Sequence, residues 1–233
     1  MVAAPDSPPS IGARHRGPSL VAVAIVFTTL FISSLIISTA MAGGEHFPSP
    51  FQAGASSYFA EHADAVRVGA FLQFGSAIPL GIFTATVVSR MQFLGVKAAG
   101  AFIALFGGLA ASVFLMLSAL VQWVLSRTDV GAPGPTVHAL HLIAFATGGV
   151  GYVVPAGLLV AGISVTGGLS RRLPNWLMWF GLAVAALAEL SAFSLIVTQA
   201  TYLLPIARFP AFVWMICVGA LLPKTRGQVA DAG

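Results

Sequence analysis

Residues 98–126 read AAGAFIALFGGLAASVFLMLSALVQWVLS, a run with no Asp, Glu, Lys or Arg. A helix on the surface of a soluble protein needs a polar face, and this run has none. About 20 mostly apolar residues suffice to cross about 30 Å of hydrocarbon. This run exceeds that length, so it must tilt or extend into the interface. Five more runs share its character, and the set covers about 19–42, 66–89, 98–126, 136–165, 176–199 and 203–222. None alternates with the period of two that marks a membrane strand. The predicted fold is therefore all-α, a bundle of six transmembrane helices.

Composition agrees. Of 233 residues, 58% are hydrophobic and 8% charged. A soluble domain carries about 25% charged residues, and disorder requires low hydrophobicity. Both classes are excluded. Residues 19–222 form one membrane domain, the longest connection is 43–65, and the tails 1–18 and 223–233 read as disordered, with Pro5, Pro8, Pro9 and Pro18 in the first. Ala40-Met41-Ala42 resembles a signal-peptidase site. The apolar run before it exceeds the 7–15 residues of a signal, so we read it as a retained helix. The lone Cys217 cannot form an internal disulfide.

A net charge of +4 would suggest nucleic acid in a soluble protein. Here the basic residues flank apolar runs, so the expected partner is the lipid bilayer and not nucleic acid. With a cytoplasmic amino terminus, Arg14, Arg16, Arg90, Lys97, Arg171, Arg172, Lys224 and Arg226 lie inside. Arg67, Arg127 and Arg208 then fall on or near the other side. That excess predicts both termini in the cytoplasm.

Lipid is as apolar as leucine, so helices associate through small residues and hydrogen bonds. The third run offers Ala104, Gly107, Ala111, Ser118 and Gln122 on one stripe, and the fifth Gly181, Ala185, Ala188 and Ala192. The fourth carries Gly148, Gly149, Gly151 and Gly157, and prolines at 79 and 155 favour kinks. This pattern serves packing, with a hinge near Gly148 to Pro155 as the functional alternative.

An ionisable side chain within hydrocarbon is costly and marks a site by default. His138, His141, Glu189 and Arg208 are the candidates, and Gln73 and Gln122 lie in the same half of the bundle. His138, His141, Phe145, Gly148 and Tyr152 share one helical stripe. The expected site is a polar pocket in the half of the bundle away from the termini, built from Gln73, His138, His141, Glu189 and Arg208. Each has a structural alternative. Arg208 can snorkel, His138 can sit at the interface, and Glu189 can be protonated or paired with Arg208.

A metal needs convergent ligands. The two histidines share one helix, HExxH is missing, and Glu45-His46 and Glu61-His62 lie in a loop. No metal, haem or other cofactor is expected, and no catalytic residue is assigned.

The stretch Gly157 to Leu190 contains Arg171-Arg172-Leu173-Pro174-Asn175-Trp176-Leu177, then Trp179-Phe180-Gly181-Leu182. It resembles a pattern in small bacterial multi-pass proteins grouped as a domain of unknown function, the family numbered 4386. The resemblance implies a bacterial cytoplasmic membrane and no activity.

Three functional classes follow. First comes a non-catalytic membrane partner or sensor, meeting another membrane protein or a second copy through the loop 43–65. Second is a binding or transport module with an outward-facing polar pocket and Glu189 as proton or cation site. Last is a small intramembrane enzyme or metal site using His138, His141 and Glu189.

Overall fold

The computed structural model describes residues 14–51, 55–127 and 134–225. Its helices are α1 (Leu20–Met41), α2 (Ala55–Glu61), α3 (Ala63–Phe93), α4 (Ala99–Leu125), α5 (Gly134–Gly148), α6 (Val150–Leu169), α7 (Asn175–Leu190) and α8 (Leu203–Leu221). Two 3-10 turns, Ser191–Leu195 and Thr198–Tyr202, link α7 to α8. Six spans are long and apolar enough to cross a bilayer: α1, α3, α4, α5 with α6, α7 with the first 3-10 turn, and the second 3-10 turn with α8. The protein is a helical, multi-pass membrane bundle.

Both described ends lie on one face. The His15 amide donates to the Lys224 carbonyl at 2.9 Å, and Arg14 bridges to Thr225. We call this the terminal face and its opposite the loop face. Residues 1–13 and 226–233 lie outside the described residues, as do Pro5, Pro8, Pro9 and Arg226. Residues 14–18, read as part of a disordered tail, are packed: His15 contacts the Ser89 hydroxyl at 3.2 Å and sets its ring edge-on to Phe93.

The spans form a ring in sequence order. Each packs on the next, and α8 closes on α1. The observed limits track the apolar runs with two informative exceptions, apart from the fifth, where α7 stops at Leu190, nine residues short of the 176–199 run, and 3-10 turns take over. First, α3 continues past Ser89 to Phe93, because Arg90, only 2% exposed, is covered by the 14–18 segment and donates to the Pro18 carbonyl. Second, the connection 43–65 holds α2 and the first turn of α3.

Backbone approach is closest between α4 and α6. A Cβ on Gly107 would stand 2.5 Å from the Pro155 carbonyl oxygen and 2.8 Å from the Leu159 nitrogen. Only glycine fits there, and the small-residue stripe of α4 is thus a helix contact.

The fourth span is broken at Gly149, whose φ of −85° and ψ of −105° leave the helical region. The Tyr152 amide bonds Gly149 at 3.2 Å. In a continuous helix that amide would bond Gly148, so the Gly148 carbonyl loses its helical donor. The break falls at the loop-face end of the 148–155 segment, six residues before Pro155, which lies inside α6.

Candidate functional site

Beyond the break, α5 leans on α4 and leaves a cleft towards α1 and α8. The cleft holds about 320 Å³ in the loop-face half of the bundle. Its walls are Phe31 and Leu35 of α1, Leu115 of α4, Phe145 of α5, and Leu204 and Phe209 of α8. Phe47 and Ser49 of the loop after α1 also line it, and Phe51 sets its ring edge-on to Phe145. These residues roof the cleft.

Among the described residues Arg208 is the only ionisable side chain in the lining. The α8 face bearing Leu204, Ala207 and Ala211 is buried, and Arg208 flanks it. Its Nη2 donates to the Gly148 carbonyl, so the guanidinium replaces the donor lost at the helix break. The Arg208 Cζ lies 5.4 Å from the Phe31 ring centre and 5.1 Å from that of Tyr152. Both contacts are cation–π in character. Its Nε is buried without a hydrogen-bond partner. Among the described residues the ion pairs are His62–Glu45 and Arg67–Asp64, and neither involves Arg208.

A second polar group spans three helices. The Gln122 amide donates to Gln73 Oε1 and to Ser118 Oγ, both at 3.2 Å. The Ser118 hydroxyl donates to the Ala144 carbonyl at 2.8 Å. Gln73, 8% exposed, Ser118 and Gln122 all line the cleft. The network ties α5 to α4 and α3, while Arg208 ties it to α8.

His141 is fully buried and does not line the cleft itself. Its Nε2 lies 3.1 Å from the Pro48 carbonyl, so Nε2 carries the hydrogen, and Nδ1 is buried without a partner. The rings of Phe47 and Phe59 meet it edge-on at 5.4 and 5.0 Å. His141 therefore anchors the roof. Beside it the buried Tyr58 packs on Phe47 and Phe59. Burial, and secondarily Glu45, raises the Tyr58 pKa, so its hydroxyl stays protonated.

The five residues expected to cluster are thus separated. Gln73 and Arg208 line one cleft, and His141 lies behind its roof. His138 is exposed on α5. Glu189 is exposed on α7, beside the buried Ala188. Its carboxylate lies over Gly157 of α6, where an added Cβ would stand 3.1 Å from Oε1. It does not pair with Arg208, whose guanidinium turns into the bundle instead of snorkelling.

Sequence reading placed Gln122 and Ser118 in a packing stripe and missed their role in the lining. Two glutamines at matching depth, Gln73 and Gln122, were the available signal. Among the described residues no three His, Cys, Asp or Glu side chains are placed to hold a metal ion. No protein-family model, curated protein or solved structure matches the chain.

Proposed function

We propose that the protein is a membrane-embedded ligand-binding module that works as a sensor, with the α1–α5–α8 cleft as its site. Arg208 carries this reading. An arginine in a membrane span is costly unless a partner or a water-filled cavity receives it, and this one borders a cleft with no carboxylate paired to it among the described residues. The same guanidinium holds the Gly148 carbonyl. A ligand that draws on Arg208 therefore acts directly on the α5–α6 break, and occupancy becomes a change of helix geometry.

The broken span supports a second reading, transport, because discontinuous helices line substrate sites in many transporters. Flux through liposomes separates the two: a sensor binds and moves no ligand.

We further propose a bacterial cytoplasmic membrane, with the terminal face in the cytoplasm and the cleft towards the outside. The basic residues near the terminal face support this orientation, and the resemblance of 157–190 to the family numbered 4386 supports the host. A contact through the roof with another membrane protein or a second copy would couple the sensor to its target.

The site is tested with a single thiol. In a Cys217→Ser background, Leu204→Cys places a sulfur on the cleft wall. A charged methanethiosulfonate reagent added from the loop face modifies it if the cleft is an open site. Absence of modification, with the variant folded, rejects the reading.

A further inference from the structure

We infer that the ligand is a small amphipathic monoanion, a carboxylate on an apolar tail. This deepens the proposal above and rests on the cleft being a binding site. Among the described residues the lining carries one formal positive charge, on Arg208, and no second cation. A single guanidinium in a low-dielectric setting is neutralised by one negative charge, whereas a dianion would leave an excess. Nη2 is committed to the Gly148 carbonyl, and Nε is buried without an acceptor. A carboxylate offers planar acceptors that match guanidinium geometry.

The remaining walls set the other half of the molecule. Phe31, Leu35, Leu115, Phe145, Leu204 and Phe209 present apolar surface beside the charge. A purely polar anion such as acetate would leave that surface unfilled. The volume of about 320 Å³ lies near the small end of ligand cavities, about 300–1,000 Å³. A medium-chain alkyl acid or an aryl acid fits these limits. The amides of Gln73 and Gln122 add hydrogen-bonding capacity on the α3–α4 side of the same cleft.

The test compares decanoate, decanol and acetate on the full-length protein in phosphatidylcholine nanodiscs, at equal free concentration. Binding is read as protection of Leu204→Cys from the thiol reagent. Decanoate should protect at concentrations at least about tenfold lower than decanol, a difference of about 1.4 kcal/mol. Acetate should protect weakly. Arg208→Gln, which keeps a hydrogen-bond donor for Gly148, should remove the preference, and Arg208→Lys should retain part of it. Equal protection by decanoate and decanol overturns the ligand class, as does a preference that survives in Arg208→Gln. If Arg208→Gln does not fold, the wild-type comparison of the two headgroups decides. Protection by phosphatidylglycerol nanodiscs alone would make the occupant a bilayer lipid and overturn the free carboxylate. A thiol that is never modified defeats the site itself, so the two failures are distinguishable.

Discussion

Arg208 shows how one side chain meets several demands at once. Its guanidinium is planar, so it bonds the Gly148 carbonyl while lying near two aromatic rings, which a lysine ammonium cannot do with the same geometry. Arg208→Met should destabilise the bundle by about 1–3 kcal/mol, the cost of leaving a buried carbonyl unsatisfied. Thermal unfolding in detergent measures it. His141→Ala removes the bond to Pro48 and the ring between Phe47 and Phe59. Amide exchange across 45–51 should accelerate, with a loss of about 0.5–1.5 kcal/mol for the hydrogen bond. The sequence marked Arg208 and Glu189 by the same rule, charge within an apolar run. That rule reads depth and not direction. Glu189 lies one residue past the buried Ala188, about 100° further around the helix, and that step is enough to expose it. The partner of Arg208 is a backbone carbonyl, a group every residue carries, so no residue type could announce it.

At the scale of elements, glycine has two separate duties in this protein. Gly107 lets α4 touch the backbone of α6. Gly107→Val should force those helices apart at a cost of about 1–3 kcal/mol, read as a lower unfolding temperature with the six spans still inserted. Gly149 instead carries the dihedral angles of the break. Both duties look alike in sequence, as glycines in an apolar run, so the 148–155 segment was legible as a place of weakness but not as a break at one residue. The buried end of α3 was illegible for a related reason. Arg90 reads as a loop charge unless the 14–18 segment is known to cover it. His15 in that segment titrates. Burial, then the nearby Arg90 charge, lowers its pKa from the usual 6.5. The docked segment thus favours neutral His15, and its contribution is complete above 6.5. As pH falls through that value the released segment binds the proton first, and docking weakens. Amide protection at 14–18, taken relative to the intrinsic base-catalysed exchange rate at each pH, should fall as pH is lowered from about 8 to about 5.5, and His15→Asn should flatten that dependence.

The molecule as a whole was the most legible level. Six apolar runs fixed the number of spans, because hydrocarbon thickness sets the length of each. Their arrangement as a ring was not legible, since lipid-facing and helix-facing positions are both apolar. The exposed Phe71, Phe106 and Leu169 look in sequence like the buried Phe27, Phe83 and Leu159. Orientation is open to a direct test. Alkaline phosphatase, active only after translocation, should be active when inserted at Gly44 and inactive when fused to either terminus.

The closing of the ring has a consequence for how the protein is made. Translation delivers the spans in order, so the broken fourth span enters the membrane before α8 exists. Until Arg208 arrives, the Gly148 carbonyl has no protein donor and must stay near water, keep a continuous helix, or remain shielded by the insertion machinery. Arg208 therefore secures the break only once α8 has been delivered. A nascent chain halted before Leu203 lacks that donor, so the fourth span reaches the geometry described here only in company with the sixth.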